Sequence, residues 1–215
     1  MLAPTSPQEL RDTKGFADHL HLPIALTNAL RLTPEGFAEL CAANPDAVME
    51  LAADGSLIQM TPTGSATGAR NADLLFQLQS WARARGGWKV FDSSTGFCLP
   101  DGSVRSPDAS LVSLECWQAL SADERRGFAP LCPDLVVELA SPTDDGPRDV
   151  SALRQKMASY QRNGARLGWL LIPEKRVVEV WPAAGSSSPL EGLLKLEGGA
   201  DFPGLCINLE EIWAT

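Results

Sequence analysis

Between Asp134 and Ala140 the chain reads Asp134-Leu-Val-Val-Glu138-Leu-Ala140, a nearly apolar run with one carboxylate, Glu138, set inside it. An ionised carboxylate removed from water is costly to leave alone, so Glu138 requires a metal, a lysine or arginine, or a raised pKa. A carboxylate that reaches solvent at a strand end, or pairs with an arginine, would satisfy the same pattern. Asp134 has the strand parity of Glu138, but the separation along a strand is about 13 Å, too far for one ion held at about 2.0–2.6 Å by each oxygen. A second ligand must come from another strand. Asp108, in Arg105-Ser-Pro-Asp108-Ala-Ser, is the natural candidate, because Pro107 keeps Ser106 extended and Asp108 begins the apolar run through Leu111 and Val112. A Pro-Asp pair also suits a plain turn, and Pro133-Asp134 repeats the dipeptide.

Lys156 follows Leu153 by three residues and precedes Tyr160 by four, so it borders the apolar stripe of a helix. Its stem could snorkel past that stripe to water. A helix directly after the Glu138 strand must nevertheless pack back on the sheet, which could bring the ammonium toward the carboxylates. Glu50 is a further acidic candidate, with a solvated hairpin residue as its alternative reading. Arg105, Arg70 and Lys89 are candidates for phosphate contacts, each also readable as solvated surface. With only two histidines, His19 and His21, a Ser-His-Asp triad or multi-histidine metal site is disfavoured. The five cysteines are spread without a CxxC pair, so neither a disulfide framework nor a zinc cage is indicated, and reduced, mostly buried thiols are expected. Carboxylates and lysines are left to carry the chemistry.

The elements that must position these groups follow from periodicity and breakers. Thr33-Pro34 opens a helix over 34–43 that stops at Asn44-Pro45. Asp54-Gly55 joins two short strands, Val48–Leu51 and Ser56–Met60, into a hairpin that contains Glu50. Thr61–Gly68 has loop composition, and a helix of about 69–84 then ends at Gly86-Gly87. Short strands are expected at Trp88–Phe91, Gly96–Leu99 and Ser110–Val112, with helical turns at Glu115–Leu120 and Asp123–Gly127. The run holding Glu138 fits a central strand covered on both faces. A helix over 148–162, strands Leu167–Ile172 and Arg176–Trp181, a loop Ala183–Pro189 and a last helical turn with an Asn208/Glu211 capping box complete a mixed α/β order.

The chain has 215 residues, 44% hydrophobic and 21% charged, which suits a single domain over 33–215 preceded by an N-terminal arm, 1–32. Lys plus Arg 18 against Asp plus Glu 27 leaves a formal charge of −9, which excludes coating a polyanion by bulk charge, so any such partner must be met locally. The apolar runs are too short to span a bilayer and the N-terminus lacks a signal-peptide pattern, so a soluble cytoplasmic protein is expected.

Arg105-Ser-Pro-Asp108, Pro133-Asp-Leu-Val-Val-Glu138-Leu-Ala-Ser-Pro142, Lys156-Met-Ala-Ser-Tyr160 and Asn163-Gly-Ala-Arg-Leu-Gly-Trp-Leu-Leu-Ile-Pro173 together resemble the Uma-two family, grouped with bacterial restriction endonucleases in the PD-(D/E)XK nuclease superfamily. The resemblance runs from about Thr33 to Trp213 and includes the Glu50 hairpin and the segment Phe91–Phe97. It implies a restriction-endonuclease-like α/β (α+β mixed sheet) core with flanking helices and a small N-terminal β-hairpin. It further implies that Asp108 and Glu138 bind Mg2+ or Mn2+ while a lysine positions water or stabilises charge. Ala140 stands where that lysine would follow Glu138 by two residues, so the resemblance assigns the charge to Lys156 on the helix. Gln155 and Tyr160 resemble a Gln and Tyr that follow the acidic strand in related nucleases, and Arg70 and Asn71 occupy the region where members often carry a histidine. The implied activity is a metal-dependent endonuclease hydrolysing phosphodiester bonds of DNA, with RNA and a homodimer left open. The alternative is a catalytically silent nuclease-like binding protein acting as a homodimer, favoured by the charge of −9 and the displaced lysine.

Overall fold

Thr33 caps the first helix, α1 (Pro34–Ala43), by accepting the Gly36 amide at 3.2 Å, and Asn44 ends it. The computed structural model describes residues 30–60, 62–141 and 149–214, so most of the expected N-terminal arm, with His19 and His21, lies outside the described residues. The hairpin strands β1 (Met49–Leu51) and β2 (Leu57–Gln59) turn at Gly55, whose φ of +81° suits glycine. A Cβ there would also meet the Leu32 carbonyl oxygen at 2.8 Å, and it is this close approach that lets the Leu32 amide donate to the Gly55 carbonyl.

Helix α2 (Ser65–Arg85) begins earlier than periodicity suggests, inside the stretch read as loop. Thr67 and Arg70 in that first part are buried, so tertiary contacts override the poor helix propensity of a Gly/Thr-rich segment. The chain then runs through β3 (Trp88–Asp92), β4 (Phe97–Cys98), β5 (Val104–Arg105) and β6 (Ala109–Ser113), two short helices α3 (Leu114–Ala119) and α4 (Ala122–Arg126), and β7 (Leu135–Leu139). Helix α5 (Asp149–Arg162) leads into β8 (Leu167–Ile172), β9 (Val177–Pro182), β10 (Ser188–Glu191), β11 (Lys195–Glu197), β12 (Cys206–Asn208) and α6 (Glu210–Trp213). No helix among the described residues is long and apolar enough to cross a membrane.

The main sheet has the order β10-β9-β8-β7-β6-β3, in which β7 and β8 are parallel and joined through α5. Its two faces explain the unbroken apolar run around Glu138. Leu135, Val137, Leu139, Trp169 and Leu171 pack with Leu74, Leu78 and Ala82 of α2, whereas Val136, Leu170 and Ile172 pack with Val150, Met157 and Tyr160 of α5. Glu138 has the parity of Val136 and faces α5. Gly168 on β8 lets that helix come close, since a Cβ there would collide with the Met157 methyl.

A second sheet, β2-β1-β5-β4, has a small core of Phe37, Leu51 and Val104. Leu51 pairs with Val104, so Glu50 and Arg105 turn to the opposite face. The mixed α/β fold class and the N-terminal hairpin are those expected from the sequence.

Three expectations require correction. Ser188–Glu191, partly assigned to a loop, is an edge strand antiparallel to β9; it is exposed throughout, so no alternation of apolar residues marks it. The Asn208/Glu211 capping box is absent, because Asn208 Oδ1 accepts the amide of Glu210 at 3.0 Å and Leu209 takes the N-cap place. The cysteines are unpaired but not mostly buried, and Cys116 and Cys206 are exposed.

Candidate functional site

Four backbone segments converge beneath α5. From the small sheet, Glu50 Oε2 accepts Arg105 Nη1 at 3.0 Å and Glu50 Oε1 accepts the Ser106 amide at 2.9 Å. From the main sheet, Ala109 pairs with Val137, and one further step of that register sets Asp108 opposite Glu138. Asp108 Oδ2 accepts the Leu139 amide at 2.7 Å, while Asn71 of α2 donates to the Asp108 carbonyl at 3.3 Å.

Lys156 joins the segments. Its Nζ lies 2.8 Å from Glu50 Oε1, 2.9 Å from Glu138 Oε1 and 2.9 Å from the Ser106 carbonyl, which engages all three donors of an ammonium. Tyr160, one helical turn later, donates to the same Glu138 oxygen at 3.1 Å. The four side chains are deeply enclosed: Glu50 and Glu138 are each 2% exposed, Lys156 8% and Tyr160 0%. The snorkelling alternative for Lys156 and the solvated alternative for Glu50 are therefore not what the structure contains.

Burial pushes the Glu138 pKa up to about 8, and the charges of Asp108 and Glu50 add to the rise against the opposing pull of Lys156. Burial also acts on Glu50, but Lys156 and Arg105 outweigh it and hold that carboxyl below its ordinary value. For Lys156, burial disfavours the charge, yet Glu138, Glu50 and Asp108 more than compensate and keep the ammonium protonated above the ordinary lysine range. Burial and then the Glu138 charge raise Tyr160 well above a free phenol, so it acts as a proton donor in a hydrogen bond. Three carboxyl groups, Glu138 among them with its raised pKa, thus face two cations, Lys156 and Arg105.

A hard divalent cation would offset the charge that Glu138 gains when it releases its proton. Among the described residues no group of three or more His, Cys, Asp and Glu side chains is arranged to hold a metal. Two carboxylates with water in the remaining positions are nevertheless an ordinary donor set for Mg2+, which prefers oxygen and keeps part of its hydration shell. Asp108 and Glu138 have the right chemistry for it.

Other sequence candidates lie elsewhere. Gln155 is exposed on α5 and makes no hydrogen bond to the carboxylates among the described residues. Asp134 accepts the Ser113 amide at 2.8 Å and lies 3.7 Å from Arg166, a role in joining strands and not in the cluster. Arg70, offered for phosphate contact, is 4% exposed and pairs with Glu174 at 3.2 Å, so that expectation is corrected by its burial. Lys89 stands 5.4 Å from the Trp117 ring. Sequence reading missed the peptide groups of Ser106, which meet both Glu50 and Lys156; the only signal was Pro107, which holds this segment extended.

Residues 34–210 match the model of the Uma2 family, described as "putative restriction endonuclease". This chain belongs to the Uma2 family. The structure is also similar to the crystal structure of "a putative nuclease belonging to DUF820 from Anabaena variabilis ATCC 29413", with a TM-score of 0.69 and 16% identity, covering 85% of this chain and 97% of that one. At that identity the likeness shows a shared fold. No curated protein matches the chain. In this Uma2 chain the place two residues after Glu138 is Ala140, and the lysine that meets the carboxylates arrives from α5 instead.

Proposed function

We propose that this chain is a Mg2+- or Mn2+-dependent endonuclease that hydrolyses phosphodiester bonds of DNA, with Asp108, Glu138 and Lys156 as its catalytic residues. The observation that carries this reading is the inward Lys156 ammonium, within 2.9 Å of Glu138 and 2.8 Å of Glu50, beside Asp108. An amine directed away from the carboxylates would have favoured a silent binding protein.

Asp108 and Glu138 would hold the ion. When bound, it would polarise a phosphate oxygen and acidify a water at neutral pH. The Leu139 amide fixes the Asp108 carboxylate, and the Tyr160 hydroxyl fixes Glu138, so neither must reorganise when substrate arrives. Lys156 supplies a positive charge in a low-dielectric setting, where it stabilises the negative charge that develops on the phosphate oxygens. Glu50, tethered by Arg105 and the Ser106 amide, positions that ammonium.

The test is cleavage of supercoiled plasmid with Mg2+ or Mn2+, with and without EDTA. Wild-type protein should nick or linearise the DNA only with metal, and Asp108→Ala and Glu138→Ala should not. Unchanged metal-dependent cleavage by purified Glu138→Ala protein overturns the assignment.

A further inference from the structure

On the solvent side of Lys156 a cavity of about 420 Å3 lies between the β1–β2 hairpin and α5, and its inner end is formed by Glu50, Arg105 and Lys156. That volume is within the range of about 300–1,000 Å3 typical of small-molecule sites. Ile58 and Met60 from the hairpin and Ala152 and Leu153 from the helix supply its apolar lining. Polar and charged side chains line the rest of it. Gln155 and Ser159 follow the helix on the same side, and Arg162 stands at the far end, about 9 Å of helix axis beyond Lys156. Gln155 and Arg162 make no side-chain hydrogen bond or ion pair among the described residues. Of the acids present, Glu50 is bound by Lys156 and Arg105, and Asp101 by Ser103 and Asn163.

We infer that this cavity takes one nucleoside, drawn out of its stack, next to the phosphodiester that the carboxylate–lysine cluster acts on. The inference deepens the proposed nuclease reading and rests on it for the position of the reacting phosphate. The apolar side chains that hairpin and helix contribute suit the faces of a base, and the Met60 thioether is polarisable enough to lie against an aromatic ring. The Gln155 amide offers both a donor and an acceptor to a base edge, so it can meet any base without strict selection. Cations at the two ends, Lys156 with Arg105 and then Arg162, match a chain in which phosphates flank each nucleoside. The chain's charge of −9 agrees with such a local contact, because affinity then comes from a few placed cations and an enclosed base and not from a broad basic surface. A base can enter only unstacked, so the substrate would be single-stranded, or locally opened, at the point of cleavage.

Met60 supplies a direct probe. The full chain carrying 13C-methyl methionine is titrated with thymidine 5′-monophosphate and, separately, with 2-deoxyribose 5-phosphate, which has the phosphate but no base. Thymidine 5′-monophosphate should shift the Met60 methyl signal saturably, with the sugar phosphate at least about 10-fold weaker, a factor equivalent to about 1.4 kcal/mol. Ala152→Trp, at an exposed helix position, fills the cavity and should abolish the response, while an unmoved Met157 signal reports an intact core. Gln155→Ala, which leaves the wall in place, should weaken the nucleotide by about 3- to 10-fold, the worth of one hydrogen bond. Equal shifts from both ligands, or undiminished nucleotide binding by Ala152→Trp, overturn the inference. Plasmid and oligonucleotides that stay uncut with metal would overturn the nuclease reading alone, since the Met60 titration judges the cavity without any turnover.

Discussion

The two long helices, α2 and α5, cover opposite faces of one sheet with opposite chemistry. Beneath α2 the contact is dry: Leu74, Leu78 and Ala82 meet Leu135, Val137 and Trp169, and the charged pair of that helix, Arg70–Glu174, lies at its edge, where the Glu174 side chain is 34% exposed. Beneath α5 the same apolar packing, through Met157 and Tyr160, is interrupted by Lys156, which reaches two buried carboxylates. A pair with one wet partner can rearrange into solvent, whereas an enclosed cluster cannot. Stability alone does not call for the second arrangement, because buried ion pairs recover their desolvation cost poorly. This difference supports the proposed placement of the chemistry on the α5 face.

The largest expected effect comes from breaking that face at its cation. Lys156→Met preserves the aliphatic stem but leaves Glu50 and Glu138 without their shared partner. Metal-dependent cleavage should fall by about 10²-fold or more at saturating metal, the scale of losing one preorganised charge at a transition state. Stability at high pH should drop by about 3–5 kcal/mol, as for other broken buried pairs. Plasmid cleavage and urea melts measure the two effects, and full activity would return Lys156 to a packing role.

Acid–base titration sharpens the comparison next. Because the Glu138 pKa lies near 8 in the metal-free fold, above the ordinary carboxyl range, the folded chain holds a proton there that the unfolded chain has released. The contribution is therefore fully present below the ordinary carboxyl pKa and is lost as pH rises toward about 8. Glu138→Gln, permanently neutral, should lack this decline. Urea melts in EDTA across pH 5–9 should show the variant gaining on wild type as pH rises, and a constant difference would refute the buried, raised carboxyl.

Helix position is the third lever. Adding a methyl at Gly168 drives into the Met157 side chain, so Gly168→Ala should push α5 from the sheet and cost about 1–3 kcal/mol, in line with overpacked cores. Lys156 follows Met157 in this displacement, so cleavage should fall as well. A Gly168→Ala protein with lowered melting temperature and unchanged cleavage would separate helix seating from the site.

How much of this was legible in the sequence depended on where each residue's environment comes from. Helix α1 matched its expected range, and β8 did too, because capping residues and an apolar run between breakers are local signals. Glu138 was legible because a carboxylate is out of place in an apolar run, and Asp108 followed by excluding Asp134 on distance. Lys156 and Glu50 stayed ambiguous. Both are buried by each other's segments, the hairpin against α5, and no periodicity within either segment reports a contact made across 106 positions of chain. The first turn of α2 and the edge strand β10 were missed for related reasons: one is held by tertiary burial and the other by backbone pairing.

The smallest expected effect is on the α2 side and serves as the counterpart to Lys156→Met. Glu174 meets Arg70 Nη1 at 3.2 Å from a position open to water, and Arg70 has a second acceptor in the Ala214 carbonyl at 3.4 Å. Glu174→Gln keeps the shape and a carbonyl acceptor while removing the charge. Its cost should be about 0–1 kcal/mol, since a partly exposed pair is screened by solvent, and metal-dependent cleavage should equal that of wild type. Measured beside Lys156→Met, this variant asks whether removing any ion pair next to the sheet disturbs activity. A loss of cleavage from Glu174→Gln would mean that the two faces are coupled through the sheet, and the division between a dry structural face and a charged working face would fail.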